Sequence, residues 1–197
     1  LLNWFKNVSM IRPHLQVRMP SFDYTDEEWN DLISYFQQKD NLDLIYEDPH
    51  NFTLNSSSFK AGERIAEMGA CINCHFYGAE KPKQDALTWA PNLVLTKERL
   101  RPEWLVEWFI NPQDVMPGTK MPAPYIPTEE PQNSIREVWG SDVAKISRDS
   151  TKLYKSLIDW MWGMEGRKDV SSIVKRHLNS QGYGFIIEEE DDWGDEW

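Results

Sequence analysis

Cys71-Ile72-Asn73-Cys74-His75 puts two thiols and an imidazole within one short stretch, and these are the chain's only cysteines. Two thiols separated by two residues at the end of a helical turn can each add to one vinyl group of a haem, leaving the imidazole beside them as an axial ligand to iron. A zinc site would need two more ligands of matching spacing. A redox dithiol would follow a strand, with no histidine directly behind it. Neither context surrounds Cys71. The spacing therefore points to one haem c attached covalently through Cys71 and Cys74, with His75 as proximal ligand.

Elements on either side must hold this motif in place. Gly62, Ile65, Ala66 and Met68 recur at helical spacing and run straight into Gly69-Ala70-Cys71. After His75 comes a polar loop, then Ala90-Pro91-Asn92-Leu93. A second helix is expected from Pro102, a residue suited to a first helical position, with Trp104, Leu105, Trp108 and Phe109 on its buried side. It should end at Asn111-Pro112, because proline pushes the residue before it out of helical geometry. Met116-Pro117-Gly118-Thr119-Lys120-Met121-Pro122 is too rich in proline and glycine to be regular. Residues 123–148 carry more prolines and few apolar residues, and read as an irregular excursion. Leu153, Leu157, Trp160, Met161 and Met164 mark a helix from about Ser150 to Met164, closed by Gly163 and Gly166. Val170, Ile173, Val174 and Leu178 mark one more, ending near Gly182.

Upstream, residues 1–24 read as a short helix end, Leu1-Leu2-Asn3-Trp4-Phe5, and a proline-punctuated loop through Arg18-Met19-Pro20. Thr25 and Glu28 then form a capping box. Trp29, Leu32, Ile33 and Phe36 give the helix behind it one apolar stripe. From about Lys39 to Ser58 the periodicity stops and the chain reads as linker. The expected organisation is thus a segment 1–40, a linker 41–58, a domain 59–166, and a C-terminal helix with an acidic tail over 167–197. The whole is all-α.

Composition narrows the partners. A chain of 197 residues with 40 % apolar content can bury an ordinary core in one or two domains. Its net charge of −11 comes with no basic stripe to neutralise phosphates, which excludes nucleic acid and favours a basic protein surface. The tail from Glu188 to Trp197 is a block of negative charge, expected to stay extended until a partner orders it. No run of about 18 apolar residues is present, so no transmembrane segment is expected in this chain. The opening Leu-Leu-Asn-Trp reads as a processed or partial product.

Residues 59–164 resemble a class I cytochrome c. A helix enters Cys-x-x-Cys-His, a Pro-Asn-Leu segment follows, then a tryptophan-rich helix, a Pro-Gly-Thr-Lys-Met-Pro loop and a closing helix. The resemblance implies that Met121, directly after Thr119-Lys120, is the distal iron ligand, with Met116 as its rival. It implies that Pro91 offers its backbone carbonyl to the Nδ1 proton of His75. It places Arg99 where many bacterial members hold a haem propionate, and sets Trp104 or Trp108 along the haem edge. For Arg99 a solvated surface role is the competing reading, and for the tryptophans plain core packing. A thioether opposite imidazole favours ferrous iron, and with both axial positions filled no substrate can reach the metal. The implied function is electron transfer rather than enzymatic chemistry. It would be carried out outside the cytoplasm, in the periplasm or an equivalent compartment, with redox proteins or a membrane respiratory complex as partners. Competing readings are a dihaem peroxidase-like enzyme with one open iron position, and a mainly structural subunit of a complex.

The first forty residues repeat the second half of that pattern. Trp4-Phe5-Lys6-Asn7 parallels Trp108-Phe109-Ile110-Asn111, and Arg18-Met19-Pro20 parallels Lys120-Met121-Pro122. The capped helix after Pro20 parallels the closing helix. No Cys-x-x-Cys-His precedes Met19. Residues 1–40 are therefore expected to be the C-terminal half of a second cytochrome c-like domain, whose front half comes from an upstream segment or another chain. Met19 would then be distal ligand to a second haem that this chain does not attach. The alternative is a haemless packing module.

Overall fold

The computed structural model describes residues 20, 22–40 and 50–182. Met19, the Trp4-Phe5 segment, residues 41–49 of the expected linker and the acidic tail from Glu188 lie outside the described residues. The described chain is helical, with no strand beyond two isolated bridges, His75 with Ala90 and Tyr77 with Glu80.

Helix α1, Asp26–Asp40, begins as expected. Thr25 N–H donates to Glu28 Oε2 at 2.8 Å and Glu28 N–H donates back to Thr25 Oγ1 at 3.3 Å, so two of the first turn's unpaired donors are satisfied. Its stripe is unevenly covered. Trp29 is buried against the edge of Tyr24, Leu32 and Ile33 are half-buried, and Phe36 is exposed. Among the described elements none packs on α1.

The remaining elements share one core. Helix α2, Ser57–Met68, is capped by Ser56, whose Oγ accepts from Phe59 N–H at 3.1 Å. It starts two residues before the expected boundary, with Ser56 as its cap. The short helix α3, Thr96–Arg99, leads to α4, Pro102–Ile110, with Pro102 at its first position, and α4 gives way at Asn111-Pro112 to α5, Pro112–Val115. Helix α8, Ser150–Trp162, is the centre of the fold. It packs along α2 and against α4, burying Leu153, Leu157 and Ile158 with Ile65 and Leu105. Each large side chain withdrawn here contributes about 1.5–3 kcal/mol over its exposed state. The closest approach is at Gly62: a Cβ there would lie 1.8 Å from the Ser156 carbonyl oxygen, so only glycine lets the two backbones meet. Gly163 does close α8, but in right-handed geometry, with φ −88°. Packing explains that glycine instead, since a Cβ would run into the Phe59 ring at 2.4 Å.

Residues 123–148 correct the sequence reading. The segment contains α6, Gln132–Val138, and α7, Ser141–Ile146, and α7 packs on both α2 and α8. Ile135, Trp139 and Val143 recur every four residues and are all buried in the core. Gly140 (φ 90°) splits the stripe into two pieces too short for their periodicity to stand out. Residues 50–56, expected as linker, also lie on the domain. His50 Nε2 pairs with Asp159 Oδ1 at 2.6 Å, and Phe52 packs against the core.

Helix α9, Ser171–Ser180, forms a second and smaller apolar cluster, in which Val170, Val174 and Leu178 close over Phe76 and Trp89. One end of the molecule therefore builds around the segment that follows His75.

Candidate functional site

Helix α2 stops at Met68, and Ala70 takes a left-handed backbone (φ 53°) that turns the chain into a single 3₁₀ turn, Cys71–Asn73. A residue with a Cβ gives up about 1–2 kcal/mol in that region. The turn persists because it is bonded on both sides. Cys74 N–H and His75 N–H both donate to the Cys71 carbonyl, at 3.2 and 2.9 Å. Cys71, Cys74 and His75 thus sit on one tight turn, all half-buried, with both thiols unpaired by any disulfide. Burial pushes the Cys71 thiol up to about 11, since a thiolate in that apolar setting would be poorly solvated. The Cys74 thiol is directed at Gln84 Oε1, 3.4 Å away.

His75 Nδ1 lies 2.8 Å from the Pro91 carbonyl oxygen. A carbonyl can only accept, so Nδ1 carries the proton and the ring's basic lone pair is on Nε2. Asn92 sits beside this contact, nearly fully buried. Its side chain bonds Gly78 on the loop after His75 and the carbonyls of Arg167 and Lys168. The family resemblance singles out Pro91 and not Asn92, whose burial and distant backbone partners are not legible from residue types.

On α4 the expected apolar side divides into two. Leu105 and Phe109 point into the core, while Trp104 and Trp108 stack on one another at its margin, centroids 5.0 Å apart and planes 16° from parallel. Trp108 Nε1–H donates to the sulfur of Met121 at 2.9 Å. Met121, Trp104, Trp108 and Cys71 are all half-buried against the same core cluster. Met116 is 48 % exposed, and the two methionines therefore occupy different surroundings. Gln113 on α5 braces the loop between them. Its amide bonds the Thr119 carbonyl and accepts from Gly118 N–H, while Met121 N–H reaches Thr119 Oγ1 at 3.3 Å. Nothing in the residue pattern had marked Gln113. Arg99 ends α3 with its side chain exposed.

The donor set has a definite chemical character. Two thiols that could bond the vinyl groups of a haem, one imidazole with a fixed tautomer and one thioether are residue types that would suit a haem and its iron. Among the described residues no three His, Cys, Asp or Glu side chains gather as a metal cage. No described helix is long and apolar enough to cross a membrane. Compared with known proteins, the chain matches no family model, no curated protein and no solved structure.

Proposed function

We propose that this chain is an electron carrier of class I cytochrome c type, holding one haem c on Cys71 and Cys74 with His75 and Met121 as axial ligands. The observation that carries the reading is the 2.8 Å contact between His75 Nδ1 and the Pro91 carbonyl, directly behind a turn that presents two thiols. An imidazole anchored in this way has its orientation and tautomer set before a metal arrives, and the bond raises its basicity as a ligand. The half-buried thioether of Met121 suits the opposite position better than the exposed sulfur of Met116. Bound there, the haem would supply one-electron redox chemistry, with sulfur ligation favouring the reduced state. The protein's part is to hold both ligands, keep water from the metal with Trp104 and Trp108, and leave no open position for a substrate.

The same reading assigns residues 1–40 to half of a second haem domain, with Met19 as ligand to a haem supplied by another segment or chain. The partly uncovered stripe of α1 supports the need for such a partner. It also sets the protein outside the cytoplasm, docked on a redox partner or respiratory complex. A haem-stained denaturing gel tests the central claim. Chain produced with a haem-attachment system should keep its stain after denaturation, and Cys71→Ser with Cys74→Ser should lose it. Wild-type chain that sheds all haem on denaturation, with both thiols free, would overturn the reading.

A further inference from the structure

We infer that the C-terminal segment 166–182 clamps the proximal side of the site, with Asn92 and Val174 as positioning residues that hold the Pro91 carbonyl on His75. The inference rests on the haem reading above and adds a means by which the fold sets the iron's redox balance.

The Pro91 carbonyl belongs to the planar peptide unit that joins Pro91 to Asn92. Proline fixes its own φ, so the direction of that carbonyl has one soft torsion left, the ψ of Pro91. What holds Asn92 therefore holds the acceptor of the His75 proton. Asn92 is only 3 % exposed. Its Oδ1 accepts from Gly78 N–H at 3.1 Å and Val94 N–H at 3.3 Å. Its Nδ2 donates to the carbonyls of Gly78, Arg167 and Lys168 at 3.3, 2.8 and 3.1 Å. The last two acceptors lie on the segment entering α9. There the backbones nearly touch: a Cβ on Gly166, where φ is 138°, would lie 3.5 Å from the Gly78 Cα.

On the other side of the loop, α9 closes the small apolar cluster. Val174 is fully buried with Phe76 and Trp89, and the His177 ring lies 4.7 Å from the Trp89 ring. Phe76 follows His75 directly, and its carbonyl accepts from Leu93 N–H at 3.0 Å, while Ala90 N–H donates to the Cys74 carbonyl at 2.7 Å. Between His75 and Pro91 the chain has one 3₁₀ turn, Ala86–Thr88, and the backbone bridge of His75 with Ala90 ties the two ends of the loop together. The Asn92 contacts and α9 add the side-chain hold on the Pro91 peptide.

A strong acceptor on Nδ1 makes imidazole a better donor and favours ferric iron. Loosening the clamp should therefore shift the balance toward ferrous iron. Two variants of the haem-loaded chain test this. Asn92→Ser can still cap the turn at Val94 but is too short to reach Arg167 and Lys168, and Val174→Ala thins the α9 contact without touching Asn92. Both should raise the midpoint potential, shifting the redox equilibrium about threefold to tenfold, the upper end being about 59 mV for one electron. Both should also speed exchange of the His75 Nδ1 proton with water, followed by ¹⁵N NMR of the reduced protein. Should Asn92→Ser fail to fold, Val174→Ala decides alone. Variants that melt earlier while potential and proton exchange stay at wild-type values would overturn the clamp and leave α9 as packing. Wild-type chain without covalent haem would instead overturn the haem reading, and the clamp with it.

Discussion

The indole N–H of Trp108 points at the sulfur of Met121 from 2.9 Å, and the ring making that bond is itself stacked on Trp104. A thioether has two lone pairs, so one can accept from the indole while the other remains for a metal. The bond holds a flexible, unbranched side chain in one rotamer and draws electron density from the sulfur. A sulfur so depleted is a poorer donor to ferric iron. Trp108→Phe would keep the ring and lose the donor. The expected outcome is a lower midpoint potential, read by redox titration, with about 1 kcal/mol of stability lost in thermal melting. An unchanged potential would mean that the bond serves packing alone.

The two methionines of the loop should separate cleanly. Met121→His is expected to leave a low-spin haem at lower potential and to abolish the long-wavelength charge-transfer band that reports iron–sulfur ligation. Met116→Leu, at a position 48 % exposed, should preserve band and potential alike. The opposite pattern in the visible spectrum would make Met116 the ligand.

In the haem-free chain, the raised pKa of Cys71 has a kinetic consequence. The thiolate is the nucleophile, and burial holds this thiol protonated up to about pH 11. Alkylation of Cys71 in the folded haem-free chain should be slow at pH 8, speed up as pH approaches that value, and be fast at pH 8 in urea. The sign for stability follows from the same shift. A folded pKa raised above the unfolded one favours the native state fully below the unfolded pKa, near 9, and that contribution is lost as pH climbs through about 11. The haem-free chain should therefore melt progressively earlier across that interval. Rapid labelling of Cys71 at pH 8 in the folded state would contradict the buried environment.

Much of this arrangement could be read from residue types, and the omissions share a physical cause. Thr25 with Glu28, Pro102 at a helix start and Asn111-Pro112 at its end are signals confined to neighbouring residues, and the structure has each. The pairing of Pro91 with His75 came from the family resemblance rather than from spacing, and that contact is present at 2.8 Å. Asn92, Gln113 and α6–α7 were missed because their roles are non-local. Asn92 is explained by backbone groups of Gly78 and of residues 75 and 76 positions further on, and Ile135, Trp139 and Val143 only by the core that they join. Trp104 and Trp108 lie at the core's margin because Leu105 and Phe109, one position along, take the interior, and apolarity alone cannot separate the two pairs.

Gly62 offers the sharpest test of how the scaffold reaches the site. Helix propensity favours alanine over glycine by about 1 kcal/mol in an exposed helix, so Gly62→Ala would stabilise α2 if propensity decided the matter. Contact with α8 opposes it. The added methyl would lie 1.8 Å from the Ser156 carbonyl oxygen and 2.4 Å from its carbon, and backbone atoms within a helix cannot swing aside as the end of a side chain can. The helices must separate, stripping contacts from Ile65, Leu153 and Leu157, at a cost of about 3 kcal/mol, the upper part of the usual overpacking range. The net expectation is destabilisation by about 2 kcal/mol, measured by denaturant titration with unchanged slope. Because α2 ends only three residues before Cys71, the displacement should also reach the 3₁₀ turn. Gly62→Ala should then attach haem less completely than wild type, judged by haem stain per unit protein. Equal or greater stability in the variant would show that α2 and α8 do not meet backbone to backbone at this position.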